Sequence, residues 1–189
     1  MDSRFGVLAI GGNSLIKDKD HIALSWQYEA VKETVEYIAD LIAEGLSLVI
    51  THGNGPQVGN LLLQQECCGE VPRLPLEILV AQTQGQIGYM IESTLDSELM
   101  DLGIHTQQLV SLISYVVVDE KDPAFVSPSK PIGPVYAQQH GGYPMCKTDK
   151  GYRRVVVSPE PVTIVEKREI KKLIEIGRAS CRERVCHCV

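Results

Sequence analysis

The sequence predicts an α/β fold with a mainly parallel sheet, and three observations lead there. Short apolar runs alternate with stretches of helical period from the amino terminus to Val118. The runs are apolar throughout rather than alternating, as strands buried on both faces are. Two of them end in glycine-rich turns that each carry an asparagine, Gly11-Gly12-Asn13 and Gly53-Asn54-Gly55, the punctuation expected where a strand hands over to a helix.

The first strand is Arg4 to Ile10. A helix starts at about Ser25, a candidate N-cap, with Val31, Val35, Ile38 and Ile42 on its apolar stripe and Gly45 as its stop. Leu46 to Ile50 forms the second strand, broken by Thr51 to Gly55. Pro56 then opens a second helix, since its missing N–H costs nothing in a first turn. Pro72 and Pro75 punctuate the chain before a long helix from Leu76 to about Met100, in which Gly85 and Gly88 allow close approach. Gly103 ends it, and Leu109 to Val118 is a third β-branched run.

The character changes from Asp119 to Pro161, which is rich in proline and glycine and has one good strand candidate, Arg154 to Val157. So long a stretch is expected to be a protruding flap subdomain rather than a loop. A helix returns at Glu166 to Ile176, with Gly177 as its end. The expected organisation is an α/β domain over residues 1–118, the flap over 119–161, the returning helix over 162–177 and a distinct tail over 178–189.

That tail holds Cys181, Cys186 and Cys188 and has no periodicity or apolar run fit for a strand. Cys186, His187 and Cys188 are adjacent, without the spaced pairs of a zinc finger, so no metal site is expected. The tail reads as unrelated to the body, the product of a frame change, a splice error or vector-derived translation. Cys67, Cys68 and Cys146 have no ligand spacing either and are expected to be reduced thiols of a cytoplasmic protein.

Composition narrows the function. With 18 Lys plus Arg against 24 Asp plus Glu, the net charge is −6, the wrong sign for nonspecific contact with nucleic acid or an anionic membrane. No apolar run is long enough to span a bilayer. The two glycine turns, each at the carboxyl end of a strand, lie where open α/β sheets bind ligands. Glycines let backbone N–H groups approach an anion, and a helix opening at Pro56 adds the positive end of its dipole. One such turn alone suggests no more than a tight connection; two with asparagines point to a phosphate or carboxylate cradle. Neither is a P-loop or a G-x-G-x-x-G fingerprint.

Lys130 stands between prolines in Ser127 to Pro134. It is either an ammonium held over a phosphoryl oxygen or a solvated surface lysine. Arg153 and Arg154 are a second anion contact or, on the better reading, partners in a flap-edge ion pair. His52 has no partner at a catalytic spacing and reads as a turn-stabilising residue.

Five segments together carry a resemblance: Ile10-Gly-Gly-Asn-Ser-Leu15, Thr51-His-Gly-Asn-Gly-Pro-Gln-Val-Gly59, Gln84-Gly-Gln-Ile-Gly-Tyr89, Lys130-Pro-Ile-Gly-Pro134 and Gly151-Tyr-Arg-Arg-Val-Val156. In order and spacing, over about residues 4 to 177, the chain resembles the carbamate kinases of the amino acid kinase family. The resemblance implies a three-layer α/β/α sandwich and reversible phosphoryl transfer between ATP and carbamate, running in arginine catabolism from ADP and carbamoyl phosphate towards ATP. It further implies that Gly11, Gly12, Asn13, Gly53, Asn54 and Gly55 bind carbamoyl phosphate or the transferring phosphoryl group. Lys130 would be the catalytic residue that neutralises charge, Mg2+ would accompany ATP or ADP, and the protein would be a cytoplasmic homodimer.

Family members continue, after the helix that ends here at Gly177, into a half carrying a glycine-rich strand end, further lysine and aspartate residues and the nucleotide pocket. No counterpart of that half follows in this sequence, so no nucleotide-binding residue is assigned, and the sheet is expected to be truncated with an apolar edge left uncovered. Two other readings follow: a catalytically inactive anion-binding or dimerising fragment, and another amino acid kinase, acetylglutamate kinase being the nearest.

Overall fold

The computed structural model describes residues 4–11, 14–15, 23–67, 69–105, 108–139, 141–180 and 187–188. Its chain divides into two compact units: Met1–Gly53 with Gln84–Ile113 and Glu166–Val189, and Asn54–Thr83 with Ser114–Val165.

The first unit is built on a parallel strand pair. β1 (Arg4–Ile10) and β2 (Leu46–His52) run in uninterrupted register from Arg4 beside Leu46 to Ile10 beside His52. Parallel neighbours need a crossover, and α1 (Leu24–Ala43) supplies it. Its buried residues Gln27, Ala30, Val31, Val35, Ile38, Ala39 and Ile42 recur at three- and four-residue steps, one stripe of the helix. Gly45, at φ 87°, ends it by donating its N–H to Ile42 at 2.8 Å. The start differs from expectation. The cap is Ala23, without a side-chain bond, because the helix already begins at Leu24 and draws Ser25 inside its first turn.

α3 (Leu76–Asp101) enters this unit at Gln84, and Ile87, Met90, Ile91, Leu95 and Leu99 pack with Ile10, Leu15, Leu48, Ile50 and the α1 stripe as one core. Gly88 admits Ser111 closely: a Cβ there would stand 3.2 Å from Ser111 Oγ. Gly103, at φ 74°, closes the helix, with Gly103 N–H on Met100 and Ile104 N–H on Leu99, the doubled arrangement of a Schellman stop. α4 (Lys167–Ser180) runs past Gly177, where the sequence predicted its end.

The single strand expected from Leu109 to Val118 is two. β3 (Gln108–Leu109) pairs in parallel with β9 (His187–Cys188) in the first unit, while β4 (Val116–Val118) pairs antiparallel with β8 (Pro161–Ile164) in the second. The β-branched run is divided between two partners of opposite direction, and Val110 to Tyr115 belong to neither. β9 also corrects the expectation that the tail forms no strand, because two residues suffice to extend a parallel ladder. Cys181 and Cys186 lie outside the described residues, as does Cys68; Cys67 and Cys146 are free thiols. No helix among the described residues is long and apolar enough to cross a membrane.

The second unit holds α2 (Gly55–Cys67), the first residues of α3, the β4–β8 ribbon and a three-stranded antiparallel sheet. That sheet orders β5 (Lys130–Tyr136), β7 (Gly151–Val156) and β6 (Met145–Thr148). Of these strands only β7 has a sequence-predicted counterpart, Arg154 to Val157, which in the structure begins at Gly151 and ends at Val156. Pro131 and Pro134 disguise β5, which tolerates them because it is an edge strand. Val58 and Leu62 of α2 join Leu79 and Ile132 in the core, against Val156. Asp122 caps a short 3-10 turn, Pro123–Phe125, accepting from Ala124 N–H and, through its other oxygen, from Glu160 N–H, both at 2.8 Å. The two ends of the long excursion meet, with Val165 N–H donating to the Tyr115 carbonyl at 3.0 Å.

Candidate functional site

In the first unit both glycine turns leave the same edge of the parallel pair. Ile10 and His52 are the last register partners, and Gly53 N–H donates to the Ile10 carbonyl at 3.0 Å, so the second turn is fastened to the end of the first strand. Gly11 leads into a tight turn closed by Ser14 N–H on its carbonyl at 2.9 Å. Gly12 and Asn13 lie outside the described residues.

Among the described residues, nothing packs on Gly11 closely enough to demand a glycine: a Cβ built on it would meet only Ser14 Oγ, at 3.5 Å, an ordinary contact. The same holds at Gly55, the first residue of α2 in the second unit, where an added Cβ would meet nothing within 4 Å. Neither has a positive φ. The described residues therefore leave both positions free for a side chain, and a bare backbone there suits the close approach of an external group.

Asn54 precedes α2 and accepts Val58 N–H at 3.0 Å through its main-chain carbonyl, the first bond of the helix. Its side chain turns to α3, where Nδ2 donates to Thr83 Oγ1 at 2.9 Å and lies 3.4 Å from the Val80 carbonyl. Thr83 is completely buried and donates within its own helix to Leu79 or Val80. The side-chain nitrogen of Asn54 is thus held by α3. Thr83 was not singled out from the sequence; its signal is a hydroxyl at a core position, four residues after Leu79.

His52 ends β2 with Nδ1 buried and unpartnered among the described residues. Burial lowers its pKa below the ordinary histidine value, outweighing an opposing interaction with the Gly53 backbone, so it is a neutral imidazole near pH 7.

Lys130 is exposed at the start of β5 in the second unit, opposite Val156, and is not in the unit that holds Gly11 and Gly53. The two arginines are both engaged within the second unit. Arg154 pairs with Glu66 of α2 and stacks 4.1 Å over the Tyr143 ring, as the ion-pair reading expects. Arg153 donates through Nε and Nη2 to the Gly133 carbonyl, at 3.2 and 2.9 Å.

Comparison with known proteins adds the wider context. The model of the amino acid kinase family matches residues 4–179. A carbamate kinase-like protein of Escherichia coli is 43% identical over 184 residues, covering 91% of this chain and 57% of its own length. Carbamate kinase of Pyrococcus horikoshii is 40% identical over 182 residues, covering 90% and 58%. Among solved structures, carbamate kinase from Giardia lamblia bound to citric acid superposes with a TM-score of 0.83 at 31% identity, covering 98% of this chain and 61% of that one. The chain thus spans about three fifths of the length of the relatives it matches.

Proposed function

The chain belongs to the amino acid kinase family, whose match takes in residues 4–179, and from that premise we propose that it serves, as part of a carbamate kinase, in reversible phosphoryl transfer between ATP and carbamate. The observation that carries the reading is the joined edge of the first unit. Two Gly/Asn turns leave adjacent parallel strands, the second is tied to the first by Gly53 N–H on Ile10, and at Gly11 no packing contact among the described residues requires a glycine. Strand ends of this kind offer N–H donors to an anionic substrate.

In this reading Gly11, Gly12, Asn13, Asn54 and Gly55 supply donors to the substrate, while Gly53, whose N–H is held by the Ile10 carbonyl, fixes the second turn rather than donating. The substrate is carbamate or carbamoyl phosphate. Phosphoryl transfer asks a protein for positioning and charge stabilisation rather than covalent chemistry, which suits a site of backbone donors. Lys130 supplies the charge as a point cation on a phosphoryl oxygen. Among the described residues no group of three or more His, Cys, Asp or Glu is placed to hold a metal ion. The donor set fits an anion and not Mg2+, which would arrive with the nucleotide. The same reading sets the reaction in cytoplasmic arginine catabolism, in the direction of ATP formation, by a homodimer.

The test is ATP formation from ADP and carbamoyl phosphate by the full chain. Activity that falls at least about tenfold in Lys130→Ala supports the reading. Carbamoyl phosphate binding with no turnover favours an inactive anion-binding protein, and turnover with acetylglutamate in place of carbamate assigns a different member of the family.

A further inference from the structure

Three of the five segments that carry the family resemblance meet at one irregularity of the second unit. β5 pairs with β7 at Lys130 and Val156, Pro131 and Val155, and Ile132 and Arg154; pairing resumes only at Tyr136 and Tyr152. Gly133, Pro134 and Val135 therefore stand opposite Arg153 alone, a bulge wider than the usual single extra residue. The ladder cannot close across it, because Gly133 is left-handed at φ 70° and Pro134 has no N–H.

A carbonyl released by a bulge needs another donor, and for Gly133 that donor is the Arg153 side chain, through two of its nitrogens. Two glycines complete the joint. A Cβ on Gly59 of α2 would stand 2.6 Å from Gly133 Cα and 2.7 Å from its nitrogen. One on Gly151, at φ 135°, would collide with the Tyr136 carbonyl and lie 2.9 Å from Val135 Cγ1. The Pro56-to-Gly59, Lys130-to-Pro134 and Gly151-to-Val156 segments are thus parts of one piece of construction, and Arg153 is its polar clamp on Gly133.

The geometry points to Arg153 as the positioning residue of Lys130: by holding the Gly133 carbonyl it pins the register in which β5 presents the lysine. A strand that slips by one residue turns every side chain to the opposite face. Lys130 stands three residues before the bulge, so loss of the pin redirects its ammonium. Arginine suits the task because its planar fork offers two parallel donors, whereas lysine offers a single rotating ammonium. The proposal rests on the reading of Lys130 as the phosphoryl contact, and its test separates the two.

Arg153→Met and Arg153→Lys are prepared in the full chain. The first readout needs no activity: the cross-strand NOE between Lys130 and Val156, and hydrogen exchange of the Val135 and Tyr136 amides. In Arg153→Met the NOE is lost and exchange quickens at least tenfold, while amides of α2 are unchanged; Arg153→Lys is intermediate and stands in should the Met variant not fold. An unaltered NOE and exchange rate in the variant that folds overturns the inference, whatever the activity. The second readout is ATP formation. In an active chain kcat falls about tenfold with KM for ADP unchanged, and an unchanged kcat beside a broken register also overturns it. A wild-type chain that makes no ATP counts against the kinase reading alone, and the register measurement then decides the role of Arg153.

Discussion

Asn54 Nδ2 and Thr83 Oγ1, 2.9 Å apart, tie the start of α2 to a fully buried position on α3. The donor is the residue just before α2, and the acceptor's own proton goes to its helix. Thr83→Val keeps the shape but removes the acceptor, leaving an amide hydrogen unsatisfied, and is expected to cost about 1–3 kcal/mol in urea unfolding. In a double-mutant cycle with Asn54→Ala the coupling should be on the order of 1 kcal/mol. Additive losses would show that the bond contributes nothing.

Gly59 tests the second unit's packing. Gly59→Ala places a methyl on the Gly133 backbone, which cannot retreat as a flexible side chain would. The expected loss is roughly 1–3 kcal/mol, read as a lower urea midpoint with an unchanged slope.

Gly11 and Gly55 should behave in the opposite way. Gly55→Ala fills open space at a helix position and should leave stability unchanged or raise it, by up to about 1 kcal/mol. Gly11→Ala should be near neutral. Both are expected to weaken carbamoyl phosphate binding in calorimetry about tenfold or more, since a methyl stands where the substrate must approach. Undiminished binding would return these glycines to plain turn residues.

His52 gives a pH dependence with a definite sign. Its folded pKa is lowered by burial, so on acidification the unfolded chain takes up the proton first, near the ordinary value of about 6.5. The unfolded state then binds more protons, and stability falls as pH drops below that value towards the folded pKa. Thermal unfolding between pH 8 and 5 should show a decline in the wild type that is shallower in His52→Gln. Parallel curves would assign the decline to other groups.

The sequence made the first unit legible because periodicity and register agree there: the α1 stripe, the two apolar strands and the glycine stops at Gly45 and Gly103 each have one local cause. Local signals say less once partners are distant. Val116 to Val118 look continuous with Leu109, yet pair with Pro161 to Ile164 far along the chain. Pro131 and Pro134 argue against a strand unless the edge position of β5 is known. The glycine motifs were legible as a group but not in their division of labour. No spacing distinguishes Gly11, which nothing among the described residues requires, from Gly59, which the Gly133 backbone requires. The clamp by Arg153 was hidden for the same reason, since a bulge arises from the pairing of two strands and leaves no mark in either alone.

The meeting of Tyr115 and Val165 gives the intervening stretch the character of a cassette. Its ends already lie within a hydrogen bond of each other, so a short bridge between them adds little closure entropy, and lineages are free to lengthen, shorten or exchange what lies between. What restrains such exchange is α2, whose Val58 and Leu62 pack against Ile132 from inside the cassette. An exchanged insert must therefore bring its own cover for that helix, and variation along the excursion should be greatest away from β5.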